Sequence, residues 1–149
     1  MMRHYYVYLI EEEFASHYFG KESKIFNLIQ NFQWTSIHDG SYDLLDRQVQ
    51  YISKAIPSKE IHQLLTGFLT MRKGYRQLGH LHRIILNGEA GQATLLVKDR
   101  YLEIDAQGSY EAETIFFEIL RKMNPCFLAM DFQAHRYGWL NPISERKFV

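Results

Sequence analysis

The 149-residue chain has one cysteine, three prolines and no net charge, because 17 basic residues balance 17 acidic ones. A single cysteine excludes an internal disulfide, and no secretory signal pattern opens the chain, so we expect a cytoplasmic protein. No apolar run is long enough to cross a bilayer, and we expect no membrane partner. The charge balance argues against a general attraction to nucleic acid.

Apolar residues are abundant, at 46%, and aromatic residues reach 15%, with ten tyrosines and ten phenylalanines. This composition is typical of a globular protein, and the length favours one domain over residues 1–149 with a substantial core. The tyrosine content also suggests an exposed aromatic surface, because tyrosine combines apolar area with a polar tip.

Hydrophobic periodicity divides the chain into a helical half and a sheet-forming half. Spacings of three and four predict five helices, at 11–19, 22–32, from about 41 to before 57, from 58 to about 69, and at 109–123. Alternation or short apolar runs predict strands at 4–10, 81–87, 92–98, 100–106, 126–132 and 136–142. The sum is one α+β domain with a largely antiparallel sheet of five to six strands and about five helices.

The residues with catalytic or metal-binding chemistry do not form a known motif. His80 and His82 alternate on one strand face, but no third ligand stands at a telling spacing, so ordinary histidines are favoured. Cys126 lies in an apolar run, where a thiol is inert. The acids of 11–13 suit a helix N-terminus. We therefore predict no catalytic residue, no cofactor and no metal.

The most basic stretch, residues 72–83, offers an alternative function. It predicts a nucleic-acid-binding regulator, with Tyr75 interleaved among the basic side chains. The basic side chains in question are Arg72, Lys73, Arg76, His80 and Arg83. The neutral overall charge favours a solvated connection between the two halves of the chain instead.

Two stripes of mixed residues remain after the core is assigned. Phe14 and Tyr18 are spaced i,i+4 on the first helix, while Leu44, Gln48 and Tyr51 share one face of the third. Phe, Tyr, Leu and an amide in combination are typical of a protein interface. The stripes can equally pack on each other or under loops, and the sequence leaves both interpretations open.

Several long strings resemble one known family. They are RHYYVYLIEEEFASHYFGKES, YRQL at 75–78, YEAETIFFEILRK, PCFLAMDF and RYGWLNPISERKFV. In this order they are similar to the sporulation inhibitor of replication, SirA, of endospore-forming bacilli. The resemblance implies a non-enzymatic protein that binds the N-terminal domain of the replication initiator DnaA, occludes its interaction surface and blocks new rounds of initiation.

The resemblance also bears on the two stripes. Phe14 and Tyr18 stand in the matching EEFASHYFG string, which implies that they contact the initiator. Gln48 and Tyr51 stand in RQVQYI, and the same role is carried onto them, with Leu44 beside them on the stripe. A protein partner agrees with the neutral charge, and no direct contact with nucleic acid is then expected.

Overall fold

A computed structural model describes residues 2–141 of the chain, except for the side chain of Glu89. These residues form five α-helices and eight strands. The helices are α1 (Glu12–His17), α2 (Glu22–Trp34), α3 (Tyr42–Ile52), α4 (Ser58–Leu69) and α5 (Glu111–Met123). The strands are β1 (Arg3–Ile10), β2 (Ser53–Lys54), β3 (Tyr75–Leu78), β4 (Leu81–Ile85), β5 (Gly91–Val97), β6 (Leu102–Gly108), β7 (Phe127–Asp131) and β8 (Arg136–Trp139).

The sheet has the order β3-β4-β5-β6-β1-β7-β8, and β2 pairs with the end of β1. Every one of these pairings is antiparallel. The α+β class and the antiparallel sheet are thus confirmed. The predicted count of five to six strands is wrong, because β2 and β3 add two more.

The two extra strands were missed because they are short and mostly exposed. The pattern of α3 continues apolar to Ile56, yet the helix ends at Ile52 and the next two residues pair with β1. Their backbone groups bond to Leu9 and Ile10 instead of extending the helix. β3 lies in the basic stretch and pairs with β4 through a tight hairpin, so this stretch is sheet and not a connection.

Helices cover both faces of the sheet, as the side chains of β1 show. Tyr5 hydrogen-bonds to Glu113 of α5, whereas Tyr8 hydrogen-bonds to Gln33 of α2. Residues an odd number apart on a strand point to opposite faces. We infer that α2 and α3, which contact each other, cover one face, while α4 and α5 cover the other. This explains why both faces of β1 are apolar.

A glycine turn and buried apolar residues position α1 and α2. Gly20 has a φ of 81°, a left-handed conformation that favours glycine, and it lies at the end of the turn that follows α1. Ile25, Phe26 and Ile29 of α2 are buried in the core. No helix among the described residues is long and apolar enough to cross a membrane. The C-terminal tail, 144–149, lies outside the described residues.

Candidate partner-binding surface

The two helices that carry the leftover stripes are held together by the backbone. α1 follows directly after β1, and α3 runs directly into β2, which pairs with the end of β1. The backbone N–H of Glu11 donates to the carbonyl oxygen of Ile52 at 2.8 Å. The first turn of α1 therefore lies beside the last turn of α3, although about 40 residues separate them in the chain.

This arrangement brings the two stripes into one surface. The rings of Phe14 and Tyr51 meet edge to face, with centroids 5.2 Å apart and planes at 62°. Gln48 and Leu44 lie on the same face of α3 as Tyr51, one and two turns before it, and Tyr18, the residue just after the end of α1, follows Phe14 by four residues. We call these five residues the aromatic patch.

Exposure differs across the aromatic patch. Tyr51 is 72% exposed and Leu44 is 52% exposed, and Gln48 is exposed as well. Phe14 and Tyr18 are half-buried and pack against the core. Phe14 and Tyr51 do pack on each other, as one interpretation of the stripes has it, yet most of Tyr51 stays accessible, and the interface interpretation stays a prediction. Its hydroxyl makes no hydrogen bond to any residue of 2–141.

Buried residues of α1 and α3 and a hydrogen-bonded turn before α3 fix the position of the patch. Ala15 of α1 and Val49 of α3 are buried on the inner sides of their helices. Before α3, Asp39 accepts hydrogen bonds from the Ser41 hydroxyl at 2.7 Å and from the Ser41 backbone N–H at 2.8 Å. These bonds lower the pKa of Asp39. The patch therefore rests on ordered backbone at both helices.

The histidines singled out in the sequence form a chain of hydrogen bonds that includes a third one. His82 Nε2 lies 2.8 Å from His62 Nδ1, and His62 Nε2 lies 3.1 Å from His80 Nδ1. The Tyr75 hydroxyl lies 2.7 Å from His82 Nδ1. A consistent set of protons has each group donate to the next, from Tyr75 through His82 and His62 to His80.

Two histidines of this chain, His82 and His62, have lowered pKa values. Burial, and secondarily the charge that His62 can carry, lowers the pKa of His82 to about 4. Burial and then the charge of His80 lower the pKa of His62. In residues 2–141 no group of three or more His, Cys, Asp or Glu side chains is arranged to hold a metal ion. The contact of His62 with His80 and His82 was not predicted, because His62 lies on α4 and its local sequence does not indicate which strand packs beside it.

The basic stretch forms one end of the sheet. Arg72 and Lys73 lie in the turn before β3, and Arg76 of β3 stands directly opposite Arg83 of β4. Residues 72–80 are exposed, apart from the partly buried Tyr75. The stretch is therefore an exposed hairpin edge, remote in the sheet order from the strand that leads into α1.

A buried charged cluster was not foreseen from the sequence. Arg3 Nε and Nη2 donate to the two carboxylate oxygens of Glu113 at 2.6 and 2.7 Å, and the Tyr5 hydroxyl donates to the same carboxylate at 2.6 Å. Burial alone would raise the pKa of Glu113, but the hydrogen bonds from Arg3 and Tyr5 outweigh it and keep this pKa below its usual range.

The other residues considered for catalysis from the sequence, Cys126 and the acids of 11–13, lie where the fold explains them. Cys126 is buried just before β7. Glu12 and Glu13 lie in the first turn of α1, where the helix dipole favours acids. These observations describe a class: an α+β protein with an antiparallel sheet covered on both faces and an exposed aromatic patch on two adjoining helices.

Comparison with known proteins gives the family. The family described as sporulation inhibitor of replication protein SirA matches residues 3–144 of this chain. A curated protein of that description from Bacillus subtilis (strain 168) is 54% identical over 149 residues, and the match covers 100% of both chains. The chain belongs to the SirA family, which confirms the resemblance seen in the sequence.

Proposed function

We propose that this protein inhibits the initiation of chromosome replication during sporulation by binding the N-terminal domain of the initiator DnaA through the aromatic patch. Membership of the family supports the role in replication, since the relative is named a sporulation inhibitor of replication. The sequence resemblance implies the initiator as partner. The contact between Phe14 and Tyr51 carries the choice of surface, because it joins the two stripes into one exposed area.

The chemistry of the patch suits occlusion of an apolar face on the partner. A few aromatic side chains near the centre of an interface supply most of its binding free energy. Tyr51 offers a large exposed ring together with a hydroxyl that can hydrogen-bond to the partner. Gln48 adds an amide beside it. Binding would cover a face of the initiator domain that it needs for self-association or for other regulators.

The proposal assigns this protein no chemical step. Its action is steric, and it needs neither a cofactor nor a metal. We further propose that residues 1–149 form one domain that works in the cytoplasm, where the initiator and the chromosome are found. The hairpin edge of 72–83 takes no part in this function.

Isothermal titration into the purified N-terminal domain of a bacillus initiator tests the proposal. We expect a stoichiometric complex, a negative heat-capacity change and only a modest dependence on salt, because the patch itself carries no charged side chain. Absence of a complex by titration and by gel filtration would refute it. Strong, salt-sensitive binding of origin DNA without the initiator would point to the basic stretch instead.

Tyr51→Ala tests the surface itself. Because Tyr51 is mostly exposed, its truncation should leave the thermal unfolding midpoint nearly unchanged while weakening the complex by about 2 kcal/mol or more, as for a hot spot. Phe68→Ala is the matched control, since Phe68 is 54% exposed on α4, outside the patch. Equal affinities of Tyr51→Ala and Phe68→Ala for the initiator would exclude this choice of surface.

Phe14→Ala and Tyr18→Ala extend the same test to α1. Each should also weaken the complex by about 2 kcal/mol or more, but both rings pack against the core. Thermal unfolding of each variant must therefore accompany its titration. Unchanged affinity in a folded variant would remove α1 from the interface.

A further inference from the structure

A cavity of about 460 Å³ lies on the other side of α3 from the aromatic patch. Its walls come from α2, α3, β1 and the turn between β5 and β6. Aromatic rings form much of the lining, among them Phe32, Tyr42 and Tyr101, and buried Val49 adds an aliphatic surface. The size and the mixed lining are typical of sites for small molecules.

Arg100 is the cation of this cavity, and its described partners are all neutral. Its Nη2 atom donates to the carbonyl oxygen of Gln50 at 3.3 Å and to the carbonyl and hydroxyl oxygens of Ser53 at 3.2 Å. Within residues 2–141 the guanidinium forms no ion pair. A partly buried cation without a counter-charge favours an anionic group beside it.

Asp46 is the anion of the same cavity. Both of its carboxylate oxygens accept from the side-chain amide of Gln50, at 3.0 Å each. Among the described residues this carboxylate also forms no ion pair, so Asp46 and Arg100 line one cavity without pairing with each other. The cavity thus contains one positive and one negative side chain, and aromatic rings from α2 and α3 line it as well.

We propose that this cavity binds a small zwitterion with an aromatic body, of the class of the aromatic α-amino acids. The ligand carboxylate would bind Arg100, its ammonium group would bind Asp46, and its ring would pack against Phe32 and Tyr42. Charge-assisted hydrogen bonds to the two charged groups on the ligand's α-carbon give specificity, and the rings supply apolar contact. The site faces away from the aromatic patch, so it stands whether or not the patch binds the initiator.

Titration with L-phenylalanine, 3-phenylpropanoate and phenethylamine tests the proposal by removing one ligand charge at a time. We expect L-phenylalanine to bind at one saturable site and to shift the NMR signals of Tyr42 and Tyr101. 3-Phenylpropanoate lacks the ammonium group and phenethylamine lacks the carboxylate, so each should bind at least about tenfold more weakly. Equal binding of the three probes, or no saturable binding of L-phenylalanine at millimolar concentration, overturns the proposal.

Variants of the two charged residues locate the site. Asp46→Asn keeps the side-chain shape and should weaken L-phenylalanine binding about tenfold, and Arg100→Gln should do the same. Asp43→Asn and Arg47→Gln change charges on the same helix at positions that do not line the cavity, and they should bind as the parent protein does. If Arg100→Gln fails to fold, Asp46→Asn alone decides: unchanged affinity for L-phenylalanine refutes the assignment.

Discussion

The buried cluster of Arg3, Tyr5 and Glu113 and the aromatic patch use similar side chains in opposite ways. In the cluster the carboxylate receives three hydrogen bonds, and Glu113 is only 1% exposed. In the patch Tyr51 is 72% exposed, and within residues 2–141 its hydroxyl has no partner. Both lie next to β1, one at its beginning and the other just past its end.

The difference teaches how one protein separates stability from recognition. When a buried ion pair loses one member, the other charge stays buried and uncompensated. The stability of the fold therefore depends on every member of the cluster. Truncation of an exposed tyrosine side chain leaves no buried polar group without a partner. The residues of the patch can therefore change to suit a partner at little cost in folding free energy. Stability and binding should therefore respond to different mutations.

The largest expected effect is that of Glu113→Ala on stability. Removal of the carboxylate leaves Arg3 buried without its partner, and the free energy of unfolding should fall by about 3–5 kcal/mol. Urea denaturation measures this. Glu118→Ala is the control on the same helix: Glu118 pairs with Arg121 at the surface, and its loss should cost at most about 1 kcal/mol. Similar losses of unfolding free energy for the two variants would show that the buried cluster contributes no more to stability than a surface ion pair.

The second effect is a loss of stability in mild acid that comes from His82, which again is a buried polar group. The folded-state pKa of His82 is about 4, below its ordinary value of 6.5. The unfolded chain then binds the proton more readily, so this stability is present above about pH 6.5 and is lost as pH falls toward 4. Between pH 7 and pH 5 the loss should be about 2 kcal/mol.

Urea denaturation at these two pH values measures that loss. His82→Gln should remove most of the pH dependence, whereas His38→Gln, at an exposed site, should keep it. A parent protein whose stability does not change from pH 7 to pH 5 would show that His82 is not held neutral.

The smallest expected effects lie at the edge of the aromatic patch. Leu44→Ala and Gln48→Ala should each weaken the initiator complex by about 1 kcal/mol or less, because most interface residues contribute little beside the hot spots. Neither should alter the thermal midpoint. Titration of both variants beside Tyr51→Ala gives the ranking. Losses as large as that of Tyr51→Ala would mean that binding is spread evenly along α3.

Local pattern predicted most of the fold because long elements carry enough periodicity. The spacing of Ile115, Phe116 and Ile119 predicts α5, and alternation predicts β5 and β6. The missed strands β2 and β3 have two and four residues, too few to show a period. Their strand character comes from neighbours: β1 supplies hydrogen bonds to β2, and the hairpin with β4 aligns β3.

The candidate surfaces divide in the same way. Helical spacing predicts that the five residues of the aromatic patch lie outside the core. Leu44, Gln48 and Tyr51 are exposed, whereas Phe14 and Tyr18 pack against the core. Contacts between distant residues gave no local signal, which is why the bonds of Arg3 to Glu113 and of His62 to His82 went unpredicted. The cavity between Asp46 and Arg100 was equally invisible, because its walls come from four separate parts of the chain.

The sequence by itself determined the class of fold and the family. These follow from composition, period and long matching strings, all of which are local in the chain. Only the tertiary structure decided that Phe14 and Tyr51 touch. The pairing of β2 with β1 and the bond from Glu11 to Ile52 bring α1 and α3 together, and hydrogen bonds between segments some 40 residues apart leave no trace in local pattern.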